Sequence, residues 1–446
     1  MAASVTTTTQ KRAFATHRRQ RIMGLIFLGF AAAIWYFFGR TTDPEFLTTF
    51  KLVPGGIDSN IEPWEFSTIS ALNTAAFVSA FIGAGQLARG FGKRTNSMLG
   101  VVAGLFIFSF LAWAAADKSL NVAGLFNTTL SKAVPITLGA LSGILSERAG
   151  VVNIAIEGMM LSGAMVGSTV ASLLRNRCDE ALIETVLICG GETSRPYLWI
   201  GIFAAVLAGA LLAYVHGLFS IKYMIDQIIS GTVINIFSVG ITSFLDARFL
   251  QEYQYLNSPG TFRAFEIPVL SQIPLIGPIV FRNNIFVYLM FLLLITLHLA
   301  LFYTRWGLRV RAVGEHPRAA DTLGINVIRT RYMAVVMSGM MAGFGGAYFT
   351  LGSVGRFDEA MTAGRGFIGL AAMLFGNYSP FGAFGAGLLF GFADSLASKL
   401  AILKIAIPSQ FLLMAPYIIT MVVLAGVVGR SQMPAADGQP YSKEGH

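Results

Sequence analysis

Long apolar runs separated by shorter polar connections follow one another along almost the whole chain. Most runs hold about 18 or more residues, the length that an α-helix needs to cross roughly 30 Å of hydrocarbon. Only helices and closed barrels satisfy their backbone hydrogen bonds in lipid, and runs of this length indicate helices. The pattern predicts an all-α fold, a polytopic transmembrane helical bundle of about 11–12 membrane segments, over residues 22–39, 67–88, 97–116, 124–145, 151–174, 198–221, 227–250, 285–304, 332–352, 366–379, 381–398 and 409–429.

The tenth run, residues 366–379, is shorter than a full membrane span, and the sequence GNYSP follows its apolar part. Proline and glycine in this arrangement interrupt a helix and release backbone groups that must find other partners. Such a break is tolerated at membrane depth where it is buried in protein or lines a cavity. The run is therefore predicted to be a re-entrant or broken half-helix.

Composition agrees with a membrane bundle. Hydrophobic residues make up 54% of the 446 residues and charged residues 12%, whereas soluble domains carry about 25% charged residues. The 48 glycines suit helices that pack closely in lipid. These values leave no room for a soluble domain longer than a loop.

The charge distribution predicts the orientation. The N-terminal arm and the connection at 305–331 are rich in Lys and Arg, and an even number of crossings places both on one side. The positive-inside rule makes that side cytoplasmic, together with the N- and C-termini. The net charge of +9 fits attraction to anionic membrane lipid. Nucleic-acid binding is not expected, because no soluble module exists to carry it.

The connection at 305–331 contains a candidate short helix. Pro317 suits the first position of a helix, and Gly324 suits the position just after its end. Gly314 lies on the other side, so about two helical turns are predicted between two membrane helices. The segment either rests on lipid headgroups or docks a cytoplasmic partner.

Polar side chains inside two apolar runs are candidate pathway residues. Asn153 and Glu157 are four residues apart and share one helix face. An ionisable group such as Glu157 is costly in lipid and marks a functional site or an interhelical hydrogen bond. Asn235 and Ser238 belong to a second stripe that begins at Gly231. That stripe indicates either a helix–helix interface or a polar pathway.

Two cysteines, Cys178 and Cys189, lie in one polar loop. They form a possible disulfide if the loop faces an oxidising compartment, and two free thiols are the alternative. The chain contains no GxxxxGK[ST] motif and no HExxH, and it shows no zinc pattern. We therefore expect no ATP site, no metal site and no catalytic residues on this chain.

Four motifs in chain order carry a family resemblance. AVGEHPRAADTLGIN at 312–326 resembles the cytoplasmic coupling loop of ABC-importer permeases of the branched-chain amino acid and ribose type, the type II superfamily. SERAGVVNIAIEGMMLSGA at 146–164 resembles the start of their core. DQIISGTVINIFSVGITSFL and GRGFIGLAAMLFGNYSPFGAFGAGLLFGFADSL resemble the nucleoside-import subgroup.

The resemblance implies a permease subunit of an ABC importer in a bacterial cell membrane, moving a small polar solute, in this subgroup a nucleoside. A separate ABC ATPase subunit would bind the ATP, so no cofactor is expected on this chain. The other partners would be a second, paralogous permease and an extracellular solute-binding lipoprotein. The alternatives are a permease for a simple sugar or a branched-chain amino acid, an ion-coupled secondary transporter, and a membrane-embedded enzyme or scaffold.

The resemblance also assigns residues. The ATPase would contact a coupling loop formed by Gly314, Glu315, His316, Pro317, Ala319, Ala320 and Gly324. The resemblance does not fix the pathway residues; from the polar positions themselves we infer that Asn153, Glu157, Asn235 and Ser238 line the substrate pathway.

The family core accounts for about 125–430, which implies four regions. Residues 1–21 would be a basic cytoplasmic arm, 22–120 an N-terminal transmembrane extension, 121–430 the permease core and 431–446 a flexible cytoplasmic tail.

Overall fold

The structure is a computed structural model, and it describes residues 17–55, 61–180, 195–274, 276–403, 414 and 432–443. Within these ranges ten helical segments are long and apolar enough to span a membrane. The helices are α1 His17–Ala33, α2 Thr68–Ala88, α3 Thr95–Ala114, α4 Val122–Glu147, α5 Ile156–Glu180, α6 Pro196–Gly217, α7 Gln227–Leu245, α8 Ile276–Val280, α9 Ile285–Tyr303, α10 Arg305–Glu315, α11 Pro317–Thr322, α12 Val327–Ala347, α13 Arg365–Phe375 and α14 Pro380–Ile402.

The predicted membrane bundle is confirmed. The first eleven predicted runs each coincide with a helix, and the run at 409–429 lies outside the described residues apart from Met414. Four membrane helices continue into π-helical turns, at Ile34–Gly39, Leu218–Lys222, Asp246–Leu250 and Tyr348–Val354.

The chain divides into two compact units. The first comprises residues 1–124 and 400–406, and it contains α1 to α3. A small sheet, in the order β2–β1–β3, accompanies these helices. Its strands are β1 Leu47–Lys51, β2 Trp64–Ser67 and β3 Ser119–Asn121; β1 pairs antiparallel with β2 and parallel with β3. Phe50 of β1 is buried against the rings of Trp64, Phe66 and Phe108, which holds the sheet to the helices.

The second unit comprises residues 125–399 and 407–446. A two-stranded ladder, β4 Phe265–Glu266 with β5 Arg282–Asn283, lies between α7 and α9 in the sequence. Helices α6 and α12 cross closely through glycines. A Cβ atom at Gly339 or Gly343 would collide with the α6 backbone at Gly209 and Ala205. Small residues therefore allow the two helix backbones to touch.

The predicted broken helix is present. An irregular segment at 355–364 joins the π-helical turn of α12 to α13, which has only 11 residues. Positive φ values at Ala360 and Ala363 show that this segment is held in an unusual conformation. A second turn, with positive φ at Asn377 and Tyr378, then leads to Pro380 at the start of α14.

Candidate functional site

The connection between α9 and α12 is a continuous, capped structure. The hydroxyl of Thr304 accepts a hydrogen bond from the Gly307 amide at 3.1 Å and starts α10. Gly324 has φ +80°, and its amide donates to the Asp321 carbonyl at 2.8 Å, which ends α11. The Asn326 side chain then accepts from the Arg329 amide at 2.9 Å and starts α12. Local hydrogen bonds thus define the start of α10, the end of α11 and the start of α12, and only His316 separates α10 from α11.

The predicted short helix is therefore confirmed, with Pro317 in its first turn. The sequence analysis missed α10, a helix of 11 residues directly before it. The residues of α10 belong to the connection at 305–331, in which the sequence analysis predicted only the shorter helix.

The two faces of α11 differ in their exposure. Arg318 and Ala319 are exposed, and so are Glu315 and His316, which directly precede the helix. Ala320 is only 2% exposed and packs against Val313, Val327 and Tyr441. The side chain of Ala319 is thus accessible to a partner, as its predicted coupling role requires.

Two other predicted coupling residues face inward. Ala320 packs inside the unit and is not accessible at its surface, and its expected contact with a partner stays a prediction. Gly314 is also buried, because a Cβ atom there would collide with the backbone of Arg148. Leu323, which is 81% exposed beside Gly324, was missed by the sequence analysis. The sequence did offer a signal for Leu323, since an apolar residue between a polar helix and a glycine is a candidate contact for a partner.

The C-terminal segment, residues 432–443, packs against this connection. The Ala436 amide donates to the Gly314 carbonyl at 2.9 Å, and the Ala435 amide donates to Glu315 Oε2 at 3.2 Å. Tyr441 is buried in the cluster that also contains Ala320. The prediction of a flexible tail is therefore wrong for residues 432–443.

Buried charged groups lie where this segment meets the helices. Glu147, Arg331 and Asp437 are 5%, 2% and 8% exposed. Arg148 donates from Nε and Nη2 to the Tyr378 carbonyl at 3.2 and 3.0 Å. The ends of α4, α12 and the turn before α14 thus meet the C-terminal segment at one cluster.

The surroundings shift the pKa values of this cluster. Burial raises the pKa of Asp437 to about 7, although contacts with Glu147 and the Gly438 amide and the charge of Arg331 lower it. Burial and the neighbouring carboxyl groups of Glu147 and Asp437 raise the pKa of the Tyr378 phenol. A carboxyl group that must leave water to dock prefers its neutral form.

Glu157 makes hydrogen bonds to the broken helix. Its Oε1 accepts from the Thr362 hydroxyl at 2.6 Å and the Gly364 amide at 2.8 Å, and its Oε2 accepts from the Gly366 amide at 2.6 Å. The carboxylate therefore satisfies amides released at the start of α13. These contacts support the interhelical interpretation.

The other predicted pathway residues also make contacts between elements. Asn153 precedes α5, which begins at Ile156, so the prediction that Asn153 and Glu157 share one helix face is wrong. Asn153 donates to the Ser338 hydroxyl at 2.9 Å. Asn235 accepts from the Gly158 amide and donates to the Ile154 carbonyl, both at 2.8 Å. Ser238 is fully buried beside Gly158. The structure brings these residues together around the start of α5, and their role in lining a pathway stays a prediction.

A charged triad in the membrane helices was missed. Lys132 of α4 and Arg365 of α13 contact the two carboxylate oxygens of Asp394 of α14 at 3.3 and 3.1 Å. The sequence did offer a signal for this triad, because Lys132 and Asp394 are charged residues inside apolar runs. The triad links three helices at partly exposed positions.

Cys178 at the end of α5 is disulfide-bonded, and Cys189 lies outside the described residues. Among the described residues no group of three or more His, Cys, Asp or Glu side chains is placed to hold a metal ion.

Comparison with known proteins places this architecture in a family. The family model of the branched-chain amino acid transport system permease component matches residues 125–428. A guanosine ABC transporter permease protein of Bacillus subtilis, NupQ, is 41% identical over 322 residues, which are 71% of this chain and 95% of the relative. A nucleoside ABC transporter permease protein of Lactococcus lactis, NupC, is 39% identical over 313 residues, 69% of this chain and 93% of the relative.

A putative glucose ABC transporter permease protein of Haloferax volcanii, TsgC13, is 30% identical over 349 residues, 72% of this chain and 98% of the relative. No solved structure matches the chain. The resemblance expected from the four motifs is confirmed, and the chain belongs to the family of permease components of branched-chain amino acid transport systems.

Proposed function

We propose that this permease subunit of an ABC importer moves nucleosides across the bacterial cell membrane. Two relatives, at 41% and 39% identity, are named as guanosine and nucleoside permeases, and they support this choice of solute. The glucose permease at 30% identity makes a simple sugar the second candidate.

The observation that carries the proposal is the exposed, capped helix α11 between two membrane helices. An ATPase subunit bound at Ala319 and Leu323 would push a rigid connection rather than a loose loop. Because α12 crosses α6 at direct backbone contact, movement of α11 would be passed into the membrane helices. ATP is bound by the partner, and this chain supplies the gate.

The remaining partners follow from the same proposal. A second, paralogous permease would complete the pathway, an extracellular lipoprotein would deliver the solute, and the α11 end would be cytoplasmic. Residues 22–120 would be an extension of the core, which agrees with a unit boundary at Gly124 and a family match that begins at residue 125.

Uptake of radiolabelled guanosine into liposomes that hold the complete importer tests the solute. We expect uptake to require ATP and to be competed by unlabelled nucleosides but not by glucose or leucine. Competition by glucose would favour the sugar permease. Uptake driven by an ion gradient without the ATPase would favour the secondary transporter.

A further inference from the structure

The C-terminal segment alternates between buried and exposed residues. Pro434, Ala436, Asp437 and Tyr441 are buried, whereas Gln439, Pro440 and Ser442 are exposed. The segment thus has one anchored face and one free face, although it contains no helix or strand in its described part.

Four hydrogen bonds attach the anchored face to three places in the unit. Two of them, from Ala435 and Ala436, join it to the end of α10. Arg331 of α12 donates to the Gln439 carbonyl at 2.9 Å. The Gln432 amide donates to Asn377 Oδ1 at 2.7 Å, in the turn before α14. Several backbone attachments and a buried tyrosine define one position for the segment.

A groove of about 530 Å³ lies between the free face and α11. Glu315, His316 and Ala319 line it on the α11 side, and Gln439, Pro440 and Ser442 line it on the other. A protein that covers the exposed face of α11 must therefore also meet the C-terminal segment.

The charges of the whole connection indicate the chemistry of a partner that covers it. Arg318 lines the groove, and Arg305, Arg309 and Arg329 line a second cavity of the same connection. The nearby acidic side chain of Glu315 already accepts the Ala435 amide. An acidic protein surface is complementary to this arrangement.

We propose that residues 434–442 form the second wall of the surface that receives the ATPase subunit, with the buried Tyr441 and the backbone bonds of Ala435, Ala436 and Gln439 as the anchors that hold the segment beside α11. This inference rests on the proposed function, since it takes the ATPase as the partner. The groove would receive an acidic face of that subunit.

The test uses the complete importer and measures how much ATPase remains bound to the permease after purification in detergent. Gln439→Trp and Ser442→Trp fill the groove and leave the backbone anchors in place. We expect each to weaken ATPase retention about tenfold or more, as for residues at the centre of an interface. Met433→Trp is the control, because Met433 is 59% exposed and does not line the groove.

A second measurement does not depend on the bulky variants. In Ser442→Cys, addition of the ATPase should slow maleimide labelling, whereas labelling in Met433→Cys should be unchanged. Equal labelling with and without ATPase, or unchanged or stronger ATPase retention in Gln439→Trp and Ser442→Trp, overturns the inference.

Ala319→Trp separates this inference from the proposed function. If Ala319→Trp releases the ATPase but the groove variants do not, only the role of the C-terminal segment fails. If Ala319→Trp also retains the ATPase fully, docking at α11 itself is wrong.

Discussion

The Gly366 amide donates a hydrogen bond of 2.6 Å to Oε2 of Glu157, and this bond joins the first turn of α5 to the first turn of α13. The same carboxylate also accepts from Gly364 and Thr362. The start of α13 is thus bonded to one buried carboxylate at the start of α5. A membrane interior offers no water to replace these bonds, so the carboxylate fixes the position of the half-helix.

Replacing Glu157 should therefore reduce stability before it affects solute recognition. In Glu157→Gln the amide nitrogen would face the Gly366 amide, so two donors meet and one charge-assisted bond is lost. We expect a loss of about 2–3 kcal/mol, the range for hydrogen bonds to charged groups. The loss is measured as a lower temperature of aggregation when the purified protein is heated in detergent.

Glu359→Gln is the matched control, since Glu359 is exposed. A Glu157→Gln protein with wild-type stability but no guanosine uptake would instead make Glu157 a pathway residue. Proton-dependent uptake that disappears in this variant would favour ion coupling.

Docking of the C-terminal segment should weaken as the pH rises. The pKa of Asp437 is about 7 in the folded protein, against roughly 3.9 for a free aspartate. Because the folded-state value is the higher one, the stabilisation is fully present below pH ~4 and is lost as the pH rises through about 7. Glu147, Arg331 and Tyr378 face the same cluster; the contacts with Glu147 and the Gly438 amide and the charge of Arg331 favour the ionised carboxylate of Asp437, but burial outweighs them and raises its pKa.

Hydrogen exchange of residues 432–443, corrected for the intrinsic pH effect, measures this release. We expect lower protection at pH 8.5 than at pH 6, conditions that bracket the pKa of about 7. In Asp437→Asn the protection should depend less on pH over this range, because the carboxyl group of Glu147 remains in the cluster. Equal protection of the wild-type segment at both values would contradict the prediction.

The neighbours Ala319 and Ala320 should respond in opposite ways to the same substitution. Ala320→Trp places a large ring among Val313, Val327 and Tyr441, and overpacking of this kind costs about 1–3 kcal/mol. Ala319→Trp adds a ring at an exposed position. We expect the first protein to accumulate poorly and the second to accumulate normally and lose the ATPase.

Membrane yield and gel filtration measure accumulation, and co-purification measures ATPase binding. Equal stability of the two variants would show that Ala320 is not held in the cluster. The comparison is controlled internally, because both substitutions lie on one helix and introduce the same side chain.

The membrane helices could be predicted from the sequence because a span of about 20 apolar residues is a strong local signal. The strands at Leu47–Lys51 and Ser119–Asn121 could not, since they are short and pair across a long stretch of chain. Asp437 lies in a polar segment with the composition of a disordered tail, and its partner Arg331 lies far away in the sequence. For Asn235, the periodicity of the sequence identified the polar face of its helix, but it could not identify the segment around Gly158 that packs against that face.

The charged triad gives the last prediction. Asp394→Asn would leave Lys132 and Arg365 as two neighbouring cations without their shared carboxylate. Their side chains are 24% exposed, so water screens part of the repulsion, and we expect a loss of about 1–3 kcal/mol rather than the larger cost of a fully buried pair. Thermal stability in detergent should fall clearly in Asp394→Asn and recover in Asp394→Asn with Lys132→Met, because one cation then remains. A double variant that is less stable than Asp394→Asn would show that Lys132 acts through Ser398 and the Asp394 carbonyl, its other hydrogen-bond partners, instead of through the triad.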